Sequence, residues 1–177
     1  MTSSAITGNT SGLASATSPG LVGITTQTFA GVKTFSGGIQ LPTTGGTPAT
    51  LNWYEEGTYT PVMTGSSTPG TGTYIVQSAF FTRIGRAVFV QCGIGWSAHT
   101  GTGAMYISLP YVSSASLQYG MNIIDYANLT VTGTACIETR PGFSTAQLLV
   151  SPATGGSVTT IPFDSAATVY FSLTYFA

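Results

Sequence analysis

Charge is nearly missing from this chain. Of its 177 residues, four are Lys or Arg and five are Asp or Glu, 5% in all, where an ordinary soluble domain carries about 25%. The net charge is -1 and the pI about 5.5, so there is no basic footprint for nucleic acid or an anionic membrane. Good helix formers such as Lys, Glu and Arg are scarce, which argues against a helical class. No uncharged run reaches the 18 apolar residues of a spanning helix. The opening MTSSAITGNT has neither a basic n-region nor an apolar h-region, so no secretory signal is expected. An outer-membrane barrel, which would need export, is therefore not expected either. The same reasoning makes Cys92 and Cys136 free core thiols rather than a disulfide. It also makes the glycosylation tripeptides at Asn9 and Asn128 chance matches.

The shortage extends to groups that do chemistry. His99 is the only histidine, and it has no GxSxG elbow and no neighbouring carboxylate. Glu55 and Glu56 are adjacent, so on a strand they point to opposite faces and cannot form a glycosidase pair together. Asp125, Glu138 and Asp164 are scattered. Cys92, Cys136 and His99 have no metal-ligand spacing, and neither a calcium loop nor a Walker pattern occurs. No catalytic residue, metal or cofactor is expected, and the chain reads as a non-enzyme.

What is abundant is Ser, Thr and Gly, roughly 40% of the chain, with 11% aromatics and a mean hydropathy of +0.31. Residues 1–52 hold sparse apolar anchors between Gly and Pro breaks. Such a stretch buries too little apolar area to offset about 1–2 kcal/mol of backbone entropy per residue. It reads as an extended N-terminal arm that orders on another protein chain by strand pairing and through Leu21, Val22, Ile24, Phe29, Val32 and Phe35.

Residues 53–177 read as short strands with turn punctuation. Strands are expected over Thr58–Thr64, Tyr74–Gln77, Phe80–Ile84 and Ala87–Trp96. Val88, Val90, Cys92, Ile94 and Trp96 fall on one face of the last, with Phe89, Gln91, Gly93 and Gly95 on the other. Met105, Ile107 and Leu109 make the next apolar face. Further strands are expected near 119–126, 128–133, 134–139, 145–150 and 157–162. Thr168–Phe176 closes the series, with Val169, Phe171, Leu173 and Tyr175 on one side. This spacing indicates an all-β fold, an antiparallel, jelly-roll-like β-sandwich. Strand faces so poor in charge on both sides point to an oligomer with buried faces. Trp96, His99, Tyr106 and Tyr111 are read as one aromatic patch suited to a host glycan.

Two stretches then carry a resemblance. Gln27-Thr28-Phe29-Ala30-Gly31-Val32-Lys33-Thr34-Phe35 resembles the QT(F/I)xGxKTF element of bacteriophage tail-fibre and related virion proteins. Trp53-Tyr54-Glu55-Glu56-Gly57-Thr58-Tyr59-Thr60-Pro61 resembles their YEEGTWTP element, with Tyr59 in place of Trp. Phe81-Thr82-Arg83-Ile84-Gly85-Arg86-Ala87-Val88 is similar to their YTRIGxxV run. Gly95–Gly103 followed by Leu109-Pro110 fits the same module. The resemblance implies a homotrimer on the virion surface, assembled in the host cytoplasm. Its arm would attach to other virion proteins of tail or capsid, and its β-rich knob would project outward. A fibre or spike subunit is the first expectation. A trimeric capsid decoration (cement) protein is the alternative, and a tailspike glycan hydrolase ranks last.

Overall fold

The computed structural model describes residues 32, 34, 36, 39–41, 49–51, 53–115 and 122–177. They contain thirteen strands: β1 (Ile39–Leu41), β2 (Ala49–Leu51), β3 (Tyr54–Tyr59), β4 (Met63–Gly65), β5 (Gly72–Ile84), β6 (Ala87–His99), β7 (Met105–Ser108), β8 (Asn122–Ile123), β9 (Asp125–Ala127), β10 (Gly133–Thr139), β11 (Thr145–Pro152), β12 (Thr159–Thr160) and β13 (Ala167–Phe176). No helix occurs among the described residues. Every ladder is antiparallel. One sheet has the order β3-β5-β6-β13-β9. The other runs β4-β7-β11-β10-β8, with β12 also pairing β11. The expected all-β sandwich is the observed fold.

Period-two alternation builds the core. Val88, Val90, Ile94, Trp96, Val169 and Leu173 point inward from the five-stranded sheet, each no more than 2% exposed. Met63, Met105, Ile107, Ile137 and Leu148 meet them from the six-stranded sheet, with Ile161 beside them. Each such burial is worth about 1.5–3 kcal/mol.

Two long strands dominate the first sheet. The expected segments Tyr74–Gln77 and Phe80–Ile84 are one strand, β5, whose register shifts at Thr73, Tyr74 and Val76. It returns as β6 through a two-residue turn, Gly85-Arg86. Gly85 has φ +58°, while Arg86 does not leave negative φ, the sign pattern of a II′ hairpin that suits strand twist.

Several expected boundaries differ for identifiable reasons. Thr58–Thr64 is not one strand: it breaks at Pro61, which has no N–H for a ladder, and the chain passes from one sheet to the other. The break is fixed by side chains. The Gln77 amide donates to the Pro61 carbonyl at 2.8 Å, and the Tyr74 hydroxyl accepts from the Met63 N–H at 2.9 Å. The described part of 119–126 likewise splits at buried Ile124 into β8 and β9, one in each sheet. The stretch 128–133 is a loop up to Gly133. Asn128 is left-handed (φ 57°), which ends a strand. The Asp164 carboxylate then holds the loop, accepting from the Thr130 N–H at 2.7 Å and from its hydroxyl. Within 157–162 only Thr159 and Thr160 form a strand, and Pro162 makes an isolated bridge to Ala104.

By its contacts the chain divides into Met1–Ser36 and Gly37–Ala177. β1 and β2, which pair Ile39 with Leu51, group with the second unit, although the sequence places them in the arm. Of the six expected attachment residues only Val32 is among the described residues, and it is 95% exposed. Leu21, Val22, Ile24, Phe29 and Phe35 lie outside them.

Candidate functional site

The residues before β3 and the β5–β6 turn meet in a side-chain clasp. β3 pairs with β5 so that Glu55 stands opposite Arg83. The Arg83 guanidinium lies 4.1 Å from the Trp53 ring centroid and 4.6 Å from that of Tyr111. Tyr111 donates a short hydrogen bond to a Glu55 carboxylate oxygen, and the Trp53 indole N–H donates to the same oxygen at 3.3 Å. The backbone closes the arrangement: the Gly85 N–H donates to the Trp53 carbonyl at 2.8 Å, and the Arg83 Nε–H donates to the Gly85 carbonyl at 2.9 Å. Below it, the Tyr175 hydroxyl donates to the Tyr111 carbonyl and accepts from its N–H. Desolvation, then the Glu55 contact, pushes the Tyr111 phenol above its usual value, with Arg83 pulling the other way.

A planar cation held between two rings gains from both stacking and charge, and an ammonium does not replace it. Arg83→Lys is therefore expected to cost about 1–2 kcal/mol, nearly as much as Arg83→Met. Urea unfolding of the three proteins measures it; full rescue by lysine would show that only the charge matters.

The expected aromatic patch does not form. Trp96 is in the core at 1% exposure, its indole N–H donating to the Asp164 carbonyl at 2.9 Å. His99 is stacked on Phe163 at 4.5 Å. Its Nδ1 accepts from the Gly101 N–H at 2.9 Å, so Nε2 carries the proton and faces the Met63 carbonyl at 3.1 Å. Both nitrogens are thus committed to backbone. Tyr111 belongs to the clasp, beside Arg83, which pairs with Val88. Val88 and Trp96 are eight residues apart along β6, roughly 26 Å, so Tyr111 and Trp96 mark opposite ends of the sandwich. Tyr106 lies on the outside of the six-stranded sheet under Arg140, 4.0 Å from its ring centroid. The four residues occupy three separate places.

The acidic groups are also occupied structurally. Glu56 accepts from the Tyr54 hydroxyl at 3.0 Å, Asp164 holds the 128–132 loop, and Glu138 is partly buried, which raises its pKa. No group of three or more His, Cys, Asp or Glu suited to a metal occurs among the described residues. Cys92 and Cys136 are buried and not joined in a disulfide, as expected.

A second feature is the outer face of the five-stranded sheet. Parity along the registered strands aligns Tyr54, Ile84 and Phe176 in one row, with Phe80 and Phe89 in neighbouring rows and Tyr170 further along. All six are exposed, by 45–62%. Ile75, in the β5 irregularity, and Ile123, which borders the same depression as Phe80 and Tyr170, are exposed by 64% and 78%. Gly93 and Gly95 leave room for neighbouring side chains to lie over β6. A Cβ on Gly93 would meet the Tyr170 ring at 2.9 Å, so that ring lies across β6. The outside of the six-stranded sheet is different: Thr64, Tyr106, Ser108, Thr134, Glu138 and Gln147 are mostly polar, and Cys136 and Leu149, paired on the same side, are buried rather than exposed.

The sequence reading anticipated strand faces too poor in charge for a monomer and placed Phe89, Gly93 and Gly95 on the side of their strand away from the core, but did not assemble the row. The available signal was the side of each strand opposite the core, where Phe80, Phe89, Tyr170 and Phe176 stand. Compared with models of known families and with curated proteins, the chain matches none.

Proposed function

We propose that this chain is a non-enzymatic structural protein of a bacteriophage particle, of tail-fibre or spike type. In this reading it is a homotrimer at the virion surface. Its N-terminal segment joins other virion proteins, and its sandwich projects outward. The clasp carries the reading. Trp53 and Glu55 come from the stretch resembling YEEGTWTP, Phe81 and Arg83 from the stretch resembling YTRIGxxV, and Tyr111 directly follows Leu109-Pro110. Phe81 and Tyr111 meet edge to face at 5.5 Å, and Trp53 and Tyr111 at 6.4 Å. Three separate stretches that resemble one module therefore act as one structural unit. The scarcity of charge and the commitment of His99, Glu55, Glu56 and Asp164 to structural bonds favour assembly over catalysis.

Mass spectrometry of purified particles, with antibody labelling under the electron microscope, tests this. The chain is expected in the particle, at the tail. Absence from particles overturns the proposal. Label spread over the head shell overturns the fibre reading and selects the decoration protein instead.

A further inference from the structure

We propose that the outer face of the β3-β5-β6-β13-β9 sheet is the surface through which this chain packs against a second copy of itself, leaving the six-stranded sheet toward solvent. The inference deepens the assembly reading above, and it rests on that reading only for the idea that the chain assembles.

The exposed apolar area is large enough for a stable interface. Tyr54, Phe80, Ile84, Phe89, Tyr170 and Phe176, with Ile75 and Ile123, are between 45% and 78% exposed. Together they present about 800 Å² of largely apolar surface, given about 150–250 Å² for a whole aromatic side chain. A monomer's largest apolar patch is about 300–600 Å², and a stable interface needs roughly 800 Å² per partner. This face alone meets that requirement, before its Thr, Ser and Gln residues are counted.

The composition of the face also suits an interface. Five of the eight are aromatic, the enrichment found at interface centres. Charge is confined to the margins. Glu56 lies on edge strand β3, Asp125 on edge strand β9, and Arg86 in the β5–β6 turn, where its guanidinium approaches the Phe176 ring at 5.8 Å. The remaining described charges are used elsewhere: Glu55 and Arg83 in the clasp, Glu138 and Arg140 on or beside the other sheet, and Asp164 in its loop. A face without central charge offers nothing to a charged partner. It meets its own copy with no like-charge contact, which would otherwise oppose self-association.

The two sheets contrast. An antiparallel sheet that borders water on one side alternates apolar and polar residues. Outside the buried Cys136–Leu149 pair the six-stranded sheet follows that rule, whereas the five-stranded sheet leaves its outward aromatic residues exposed. Desolvation of the outer face by a copy removes the exception. The depression bounded by Ser78, Phe80, Gln91, Tyr170 and Ser172 gives the copy's side chains a place to enter.

The test uses the full chain in sedimentation velocity over a dilution series. The parent is expected to sediment above the monomer mass. The paired substitution Phe80→Glu with Phe89→Lys, both at exposed positions, is expected to raise the dissociation constant about 100-fold or more, with an unchanged far-ultraviolet circular dichroism spectrum. The paired control Thr134→Lys with Gln147→Lys, on the other sheet, is expected to leave the mass unchanged. As a second measure that does not disturb the apolar residues, Gln91→Cys at the centre of the face is expected to be joined between copies by a short bis-maleimide, and Thr134→Cys is not. A monomeric parent overturns the inference, as does an assembly that survives the charged pair or is cross-linked at Thr134→Cys rather than Gln91→Cys. These outcomes are independent of particle location: a chain that self-associates through this face but is missing from particles keeps the inference and loses the virion reading.

Discussion

Trp96→Ala is expected to abolish the folded sandwich or leave it marginal at ambient temperature. The ring is 1% exposed and lies among Ile94, Val169 and Phe163, the last at 6.3 Å between centroids. Truncating a buried Trp to Ala costs about 3–5 kcal/mol, because the structure relaxes only partly around the cavity. The loss is compounded at Asp164, whose carbonyl accepts the indole N–H and would lose that partner. Against a total stability of roughly 5–15 kcal/mol, this single change takes a large share. Thermal melting followed by circular dichroism measures it. Trp96→Phe, which keeps most of the ring but not the N–H, is expected to fall between the two. If Trp96→Ala melts where the parent does, the ring is not a core element, and the aromatic patch read from the sequence returns to consideration.

The second large effect is a loss of stability in alkali. Three groups whose polar atoms face the interior resist losing their protons. Burial pushes the Cys92 thiol from its usual 9.0 to about 12 and the Tyr175 phenol from 10.0 to about 12, and it pushes Tyr59 further still. Each folded-state value lies above the unfolded one. As pH rises past 9 to 10, the unfolded chain releases protons that the fold retains, so stability is full below that range and is lost upward through about 12. All three shifts have the same sign, so all three act to lower stability in alkali. Urea midpoints at several pH values are expected to hold steady near neutrality and fall steeply above pH 10. Tyr59→Phe separates the contributions. The Tyr59 hydroxyl is buried beside Cys92 without a hydrogen bond of ordinary geometry. Its removal is expected to leave neutral stability unchanged or raise it by about 1 kcal/mol, and to make the alkaline fall shallower. An identical fall in Tyr59→Phe would exclude that hydroxyl from the effect.

The fold was legible wherever alternation was strict. Val88 to Trp96, Met105 to Leu109 and Val169 to Tyr175 each place their apolar residues inward because strands buried on one face enforce period two. What alternation could not show was where strands change sheets. Pro61 and Ile124 mark crossings, and these depend on partners distant in sequence, such as Gln77, Tyr74 and Ser108. The candidate site was less legible. Trp96, His99, Tyr106 and Tyr111 are close in sequence, but an extended strand separates residues quickly, and Trp96 falls on the inward parity of β6. The clasp escaped because Arg83 and Glu55 meet only through β3–β5 pairing, and Tyr111 arrives from the other sheet. Alternation placed Phe89 outward, but the exposed row as a whole escaped because it assembles only once β3, β5, β6 and β13 are in register.

The place of β13 in its sheet sets an order of events. The strand lies between β6 and β9, so the most sequence-distant of the long strands closes the middle of the sheet rather than an edge. Its ladder with β6 joins residues about 70 or more positions apart, a long-range closure of the kind that slows folding. During synthesis β5 and β6 can form their hairpin early, but Val88, Val90 and Ile94 keep an open flank until Ala167–Phe176 emerges and docks. The same strand supplies Tyr170 and Phe176 to the outer row. The chain must finish folding before it can present the complete face, which keeps half-made copies from joining one another through it.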